Sequence, residues 1–350
     1  MVDVSFNLKK DIYLAYPATM DVRRSDQGKE ERPELLVIVP SSVFIVYEQQ
    51  FCERFNVLKA YESLLPIDVF LKTKAQSAQA VICYGKSPIT EAILRLLPSL
   101  GLVVTSGTGV NHIDLAECRR RGIAVCNTSD VFSEDTADYA VGLLIDVLRK
   151  VSYGDRFVRS GVWPTVVDNF PLGFQLGGKH VGIVGLGNIG SKVAKRLEAF
   201  GCIISYNSRQ KKPAVPYTFY PNVCDLAANS NILVLCCSLT AKTRHMVNKH
   251  VLAALGKDGI LINVARGAVV EEEELVRRLV RGEIGGAGLD VFENEPQVPP
   301  ELFGLDNVVV NPHRGAFTVE AFREAFELVL GNLEAFFSNK PLVSPVDLDA

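Results

Sequence analysis

Three residues near the carboxyl end of the chain carry side chains suited to chemistry on a small carboxylic acid. Arg266 follows a predicted strand and precedes a glycine, and a guanidinium fork suits bidentate capture of a carboxylate. His313 lies between a proline and Arg314-Gly315, and imidazole exchanges a proton near neutral pH. Glu295 lies in the segment 293–296. A carboxylate beside imidazolium would raise the imidazolium pKa and hold the ring in one orientation.

Each of these residues also has an ordinary structural interpretation. Arg266 alone could be a surface arginine in a turn, and a lone histidine is more often structural than catalytic. Glu293 competes with Glu295 as the partner of the histidine. The remaining histidines, at positions 112, 180, 245 and 250, are predicted to be surface or loop residues.

The stretch 181–209 predicts the strand–turn–helix–strand unit that organises the second half of the chain. An apolar strand is followed by the turn Gly185-Leu186-Gly187-Asn188-Ile189-Gly190, then by a helical pattern and a second apolar run. Gly185 allows the tight turn, Gly187 lets the backbone approach a pyrophosphate, and Gly190 lets helix and strand pack closely. The helix N-terminus offers N–H groups to phosphates. The turn therefore predicts a dinucleotide site, with a phosphate-free turn as the alternative.

Apolar runs alternate with helix-length stretches along the rest of the chain. In the first part they begin at Leu35, Ala80, Leu102 and Ile123, without a second glycine-rich turn. Later strands are predicted at Ile232–Cys236, Ile260–Asn263, Ala287–Val291 and Val308–Val310. Such alternation indicates parallel sheets joined by right-handed crossovers. A helix starting at Ser133 is apolar on most sides and predicts burial between domains or subunits. The final helix, 318–337, is predicted to return to the first domain.

The predicted fold class is therefore α/β, with two βα domains. A Rossmann dinucleotide-binding domain, residues 133–315, is inserted into a flavodoxin-like substrate domain made of 34–132 and 316–345. Residues 1–33 are a mixed-charge extension, expected to be partly disordered near 22–32. A cleft between the domains is the expected ligand site, and the region 160–178 is predicted to be a long loop.

Composition excludes several classes of function. The chain has 350 residues, 48% hydrophobic and 22% charged, with a net charge of −3; this argues against nucleic-acid and membrane partners. No apolar run approaches the roughly 20 residues that span a bilayer. Eight cysteines form no CxxC pair, and five histidines show no metal-ligand spacing. We therefore expect no metal site, a reducing compartment and, without a targeting signal, a cytoplasmic enzyme.

Four ordered segments resemble the D-isomer-specific 2-hydroxyacid dehydrogenases. They are Gly185–Gly190, Asn263–Gly267, Gly288–Pro296 and Pro312–Gly315. Their order, spacing and residue types match, and the likeness covers about residues 34–345. Within the family the chain is most similar to the plant glyoxylate/hydroxypyruvate reductases and their hydroxyphenylpyruvate-reducing relatives.

The resemblance implies roles for individual residues. Arg266 matches the arginine that binds the substrate carboxylate and polarises the carbonyl. His313 matches the acid/base, and Glu295 matches the partner that keeps the histidine protonated, since the family's spacing from Asp290 favours it over Glu293. Asp290 itself resembles the carboxylate that binds the nicotinamide carboxamide.

Further contacts follow from the same resemblance. Thr108 and Gly109 resemble a loop whose backbone N–H groups hold the substrate carboxylate. The predicted cofactor contacts are Gly185, Leu186, Gly187, Asn188, Ile189, Gly190, Ser208, Arg209, Gln210, Val264 and Asp290. The family usually dimerises through the cofactor domain, so we expect a homodimer that uses the helix 137–151 and the loop around Trp163.

The end of the second strand of the dinucleotide unit predicts the cofactor. NAD enzymes of this shape place an acid there, whereas this chain has Ser208 and Arg209, with Lys211 and Lys212 close behind. A hydroxyl and positive charges suit a 2′-phosphate. NADPH is therefore expected over NADH, with NADH possible.

The expected reaction is NADPH-dependent reduction of glyoxylate or hydroxypyruvate, to glycolate or D-glycerate. Reduction of bulkier aryl pyruvates is the alternative within the class, and pocket size decides between the two. Ser129, Ser238 and Arg314 depart from the family pattern and Phe317 would narrow the pocket, so these positions leave the substrate open. A cofactor-sensing corepressor of the same fold is the alternative from another class, and the Ser208–Arg209 pair argues against an NAD(H) sensor.

Overall fold

The chain folds into two compact units in a computed structural model that describes residues 32–85, 87–165 and 170–348. Unit 1 is the chain up to Phe132 together with the chain from Thr318, and unit 2 is Ser133–Phe317. Most of the predicted extension, residues 1–31, lies outside the described residues, as do positions 166–169 of the predicted long loop. No described helix is both long and apolar enough to cross a membrane.

Unit 1 is built on a five-stranded parallel sheet. The strands are β1 (Glu34–Val37), β2 (Asn56–Lys59), β3 (Ala80–Cys83), β4 (Leu102–Thr105) and β5 (Ala124–Cys126). Their order in the sheet is β2-β1-β3-β4-β5. The helices of the unit are α1 (Ser42–Arg54), α2 (Ile67–Lys74), α3 (Glu91–Arg95), α4 (Leu115–Arg121) and, after unit 2, α11 (Val319–Phe337).

The last helix belongs to unit 1. The Thr318 hydroxyl caps α11 by accepting a hydrogen bond from the Ala321 N–H at 3.1 Å, which satisfies one of the helix's unpaired donors. The Phe326 ring of α11 stacks on Tyr47 of α1, with ring centroids 4.3 Å apart. The chain thus leaves the first sheet, forms unit 2 and returns to complete unit 1.

Unit 2 is built on a seven-stranded sheet in which every pair is parallel. The strands are β6 (His180–Val184), β7 (Ile203–Asn207), β8 (Thr218–Phe219), β9 (Ile232–Leu235), β10 (Ile260–Asn263), β11 (Gly286–Leu289) and β12 (Val308–Val310). Their order is β12-β11-β10-β9-β6-β7-β8. The helices are α5 (Ser133–Arg149), α6 (Val151–Arg159), α7 (Asn188–Ala199), α8 (Val223–Ala228), α9 (Lys249–Leu255) and α10 (Glu272–Val280).

Both faces of this sheet are covered by helices. Alternate residues of β9 serve the two faces: Ile232 and Val234 join one apolar cluster, and Leu233 and Leu235 join the other. Strands buried on both faces read as continuous apolar runs, which explains why the sequence predicted them. Because helices cover both faces, polar side chains collect at the edge formed by the carboxyl ends of the strands.

The wide apolar surface of helix α5 is buried within unit 2. It contacts α7 as well as β10, β11 and β12, and its side chains from Ala137 to Leu148 pack against the first apolar cluster of the sheet. Burial between domains or subunits is therefore not required to explain its sequence. By contrast, α6 has no buried residue.

Candidate active site

The turn after β6 has the geometry that its glycines predicted. Gly185 has φ +95°, in the region that favours glycine, and a Cβ on it would lie 2.7 Å from the backbone nitrogen of Cys237. A Cβ on Gly190 would lie 2.0 Å from the Gly185 carbonyl oxygen. Around Gly187 no heavy atom lies within 4 Å of a Cβ position, so that side of the turn is open.

Helix α7 begins at this open side. Its N-cap is Gly187, and no side chain caps the first turn, so its leading N–H groups remain available to a ligand. Leu186 and Gly190 are buried beneath the turn, whereas Asn188 and Ile189 lie nearer its surface. An open glycine beside an uncapped helix end fits the pyrophosphate of a dinucleotide.

The segment after β7 presents cations without anionic partners. Ser208 donates its hydroxyl to the Gln210 carbonyl oxygen at 2.5 Å, which shapes a short turn. Arg209, Lys211 and Lys212 are exposed, and among the described residues none of them forms an ion pair. The turn is anchored from beneath, because the hydroxyl of buried Tyr206 accepts a hydrogen bond from the Lys212 N–H at 2.7 Å.

His313 and Glu295 are in direct contact. The His313 Nδ1 lies 2.9 Å from Glu295 Oε2 and 3.1 Å from Oε1, and the Phe292 N–H donates to the same carboxylate at 3.2 Å. Burial by itself raises the pKa of Glu295, but the hydrogen bond and charge of His313 outweigh it, so the net pKa is lowered. The contact also holds the imidazole ring in one orientation.

Asp290 holds the backbone that follows His313. Its two carboxylate oxygens accept the N–H groups of Arg314 at 2.7 Å and Gly315 at 2.9 Å, while the residue is only 2% exposed. Burial raises its pKa, and these backbone hydrogen bonds oppose the rise. His313 itself has φ +58°, which costs on the order of 1–2 kcal/mol for a non-glycine residue. Asp290 therefore stabilises a strained turn that presents the imidazole.

Arg266 carries a guanidinium that forms no ion pair with any described residue. Asn263 shapes the turn after β10, since its Oδ1 accepts the Ala265 N–H and its Nδ2 donates to the Arg266 carbonyl. The Arg266 Nη1 donates to the Ala265 carbonyl at 2.7 Å, and no described carboxylate lies within ion-pair distance. Burial lowers its pKa, while the charge of Glu295 raises it. A desolvated guanidinium with free donors is suited to bind a carboxylate.

Glu293, the rival of Glu295, has other partners. Its Oε1 lies 2.7 Å from Arg244 Nη2 and 2.8 Å from His245 Nε2. His245 is thus not the ordinary loop residue that its sequence context suggested, and its φ of +50° is also in the left-handed region. Arg244 and His245 carried no signal in the sequence, because their partner lies 48 or 49 residues away.

The predicted substrate loop lies in unit 1. Asn127 Nδ2 donates to the Thr108 carbonyl at 2.8 Å, and the hydroxyls of Thr108 and Thr128 lie 3.5 Å apart. These bonds anchor the loop that follows β4 and includes Gly109. Val264, by contrast, is buried just after β10 in unit 2.

Comparison with known proteins identifies the family. Residues 141–315 match the model of the D-isomer specific 2-hydroxyacid dehydrogenase NAD-binding domain. The chain belongs to this family, as its motifs predicted, and is an oxidoreductase acting on CH–OH donors. It therefore binds a nicotinamide dinucleotide and a small-molecule substrate.

The relatives narrow the class to reductases. The chain is 51% identical to a glyoxylate/hydroxypyruvate reductase of Arabidopsis thaliana, over 91% of this chain and 98% of the relative. It is 46% identical to the hydroxyphenylpyruvate reductase of Plectranthus scutellarioides, over 89% of this chain and 98% of the relative. A solved structure of an NADPH-dependent glyoxylate/hydroxypyruvate reductase from Sinorhizobium meliloti, in complex with NADP and malonate, has a TM-score of 0.82. That protein is 36% identical, with 91% of this chain and 97% of the other covered.

Proposed function

We propose that the protein is an NADPH-dependent reductase of small 2-oxo acids, converting glyoxylate to glycolate and hydroxypyruvate to D-glycerate. The observation that carries the proposal is the pair formed by His313 and Glu295, together with a guanidinium at Arg266 that forms no ion pair within the described part of the chain. The names of the most similar relatives supply the substrate class.

Three groups of the chain act on the 2-oxo acid. Arg266 binds the carboxylate and polarises the carbonyl, and the backbone N–H groups of Thr108 and Gly109 bind the same carboxylate. Protonated His313 donates its proton to the carbonyl oxygen, while Glu295 holds the imidazole and stabilises its charge before transfer. The reduced nicotinamide, when bound, supplies the hydride that reaches C2. Hydride and proton together convert the C=O group to CH–OH.

The cofactor preference rests on the segment after β7. The exposed cations at Arg209, Lys211 and Lys212 lack acidic partners among the described residues, and Ser208 replaces the acid expected of an NAD enzyme. A 2′-phosphate would find a hydroxyl and positive charges there. The other proposed cofactor contacts are Gly185, Leu186, Gly187, Asn188, Ile189, Gly190, Gln210, Val264 and Asp290. Asp290 can accept hydrogen bonds both from the backbone and from the nicotinamide carboxamide, because each carboxylate oxygen accepts more than one hydrogen bond.

A homodimer is the proposed assembly. Helix α6 has no buried residue, and two of its exposed residues are apolar. Val151 and Val158 are more than half exposed, as are Trp163 and Leu172 after the helix. We call these four exposed apolar side chains the α6 surface; they lie in the segment that includes the predicted dimer loop. A second copy of the chain would remove it from water.

We also propose a cytoplasmic location. All eight cysteines are free thiols, and a reducing compartment keeps them in that state.

Initial rates test the proposed reaction. Glyoxylate, hydroxypyruvate, pyruvate and hydroxyphenylpyruvate should each be assayed with NADPH and with NADH. We expect the highest kcat/KM for glyoxylate or hydroxypyruvate with NADPH. A higher value for hydroxyphenylpyruvate would favour the second candidate, which the Plectranthus relative supports, and absence of 2-oxo acid reduction would refute the proposal.

A further inference from the structure

A second histidine–carboxylate contact lies behind the His313–Glu295 pair. Arg244 and His245, on the segment between β9 and α9, both reach Oε1 of Glu293, at 2.7 and 2.8 Å. The Glu293 side chain is 18% exposed, whereas Arg244 is 56% exposed. We call this group of three residues the Glu293 clamp. None of its members takes part in the reaction steps proposed above.

The backbone of Glu293 is held as well as its side chain. Its N–H donates to Oε2 of Glu272, the first residue of α10, at 2.9 Å. Glu293 is therefore held from two directions, and it lies two positions before Glu295 in the chain. The N–H of Phe292, the residue before Glu293, donates to the Glu295 carboxylate. The segment that carries Glu295 is thus shaped by contacts to Glu293.

The clamp also joins the segment that carries Arg266. The His245 N–H donates to the Ala268 carbonyl at 2.8 Å, and Gly267 packs directly on the Phe292–Glu293 peptide. A Cβ on Gly267 would lie 1.9 Å from the Phe292 carbonyl carbon. The segments after β9, β10 and β11 are therefore fixed to one another close to the reacting residues.

The charges around the clamp have opposite effects on Glu295. Glu295 faces the cations His313 and Arg266 and the acids Glu272 and Asp290. Glu293 faces Arg244, His245 and Glu272. Burial raises the pKa of Glu272, and the charges of Glu293 and Glu295 raise it further. Without Arg244 and His245, Glu293 would be one more unpaired acid near Glu295.

We propose that Arg244 and His245 are positioning residues, which hold Glu293 and thereby keep Glu295 against His313. This inference rests on the proposed function, in which His313 and Glu295 carry out the proton transfer. Loss of the clamp weakens the contact between the carboxylate and the imidazole, so the ring is held less well in the orientation from which it transfers its proton.

Two variants that remove the clamp test the proposal. Glu293→Ala removes the acceptor, and Arg244→Met with His245→Asn removes the donors while Asn still tolerates the left-handed backbone. In both we expect kcat for glyoxylate to fall roughly tenfold while the KM for glyoxylate changes little, because the imidazole is less well oriented for proton transfer. The Kd for NADPH should stay unchanged.

A conservative variant and a control separate positioning from general stability. Glu293→Gln keeps the acceptor oxygen and should keep kcat close to that of the parent. Arg277→Met breaks an ion pair with Glu274 on α10, so it should lower stability without lowering kcat. If Glu293→Ala does not fold, the Arg244→Met/His245→Asn variant decides.

A second measurement distinguishes failure of this inference from failure of the proposed function. The ring-proton NMR signals of His313, one of five histidines, can be assigned with His313→Asn. At one fixed pH their chemical shifts should change in both clamp variants and stay close to those of the parent in Glu293→Gln. Unchanged chemical shifts in folded clamp variants overturn the inference. If the parent reduces no 2-oxo acid, the proposed function fails, while the NMR signals still test the clamp.

Discussion

Three carboxylates in the segment Asp290–Glu295 have three different partners. Asp290 accepts the backbone N–H groups of Arg314 and Gly315, Glu293 contacts Arg244 and His245, and Glu295 contacts His313. Among the described residues, His313 forms its ion pair with Glu295. The partner, not the residue type, thus determines what each acid does.

Replacement of His313 tests the proton donor. His313→Asn keeps a residue that tolerates φ +58°, but the side-chain amide of Asn cannot transfer a proton to the substrate oxygen. We expect kcat for glyoxylate reduction to fall by about 10²- to 10⁴-fold with the KM for NADPH unchanged. His250→Asn, on the surface of α9, is the control in the same assay, and a parent-like rate in His313→Asn would contradict the assignment.

Replacement of the residues after β7 tests the cofactor preference. Ser208→Asp with Arg209→Ala places a negative charge where the 2′-phosphate is proposed to bind. Because a hydrogen bond to a charged group is worth about 1.5–3 kcal/mol, the ratio of kcat/KM for NADPH over NADH should fall by roughly 10- to 100-fold. Lys257→Ala removes an exposed cation elsewhere in unit 2 and should leave the ratio as it is.

At the scale of elements, the positions of the proposed reacting side chains are set by the ends of the strands rather than by the strands themselves. The proposed reacting side chains of unit 2 follow β10, β11 and β12, whose parallel register brings their carboxyl ends together. Backbone packing then sets the spacing of the segments that follow. Gly267 is the clearest case, because a Cβ on it would overlap the Phe292–Glu293 peptide.

Gly267→Ala should force two of these segments apart. The added Cβ would lie 1.9 Å from the Phe292 carbonyl carbon and 2.1 Å from its oxygen, so we expect a loss of about 1–3 kcal/mol in stability and a lower kcat. Urea unfolding and initial rates measure both effects. Gly304→Ala has no atom within 4 Å of its new Cβ, and equal behaviour of the two variants would contradict the packing argument.

The α6 surface makes a prediction about assembly. Val158→Asp with Leu172→Asp introduces charges on residues that are 52% and 91% exposed, so the fold should tolerate them while association weakens. Light scattering should show a dimer for the parent and a monomer for this variant. Leu64→Asp, on a fully exposed side chain of unit 1, should remain dimeric. A monomeric parent would refute the proposed dimer.

At the scale of the molecule, ion pairs in unit 2 link stability to pH. Hydrogen bonds from Arg277 and the neighbouring Arg278, opposed by burial, lower the pKa of Glu274 to about 2 from an ordinary 4.5. A carboxylate with a lowered folded-state pKa stabilises the fold above its unfolded pKa and loses that effect as the pH falls through the folded value.

Glu274→Gln should therefore lower the urea midpoint at pH 7. The difference from the parent should narrow as the pH falls from about 4.5 towards 2, because the parent carboxylate becomes protonated over that range. Glu53→Gln, an exposed acid of α1, should show no such dependence. A difference that stays constant with pH would contradict the ion-pair explanation.

Sequence alone predicted the inner strands of the two sheets better than the strands at their edges. The inner strands β9 and β10 are continuous apolar runs because both faces of the sheet are covered. Strand β2 contains Asn56 and Lys59 and is only partly buried, so its hydrophobic pattern was too weak to predict a strand. Likewise, β8 has only two residues. The glycine turn and Arg266, Glu295 and His313 were visible as local motifs. Arg244 was not, since its role depends on a partner 49 residues away.

The insertion of unit 2 has a consequence for synthesis on the ribosome. All strands of unit 2 leave the exit tunnel before α11 does, and the tail after α11 pairs with β5 through the Val346 N–H and the Val125 carbonyl. Domains generally fold as units during translation. Unit 2 can therefore fold on the nascent chain while the strands made first wait for the final helix, so the domain that is begun first is completed last.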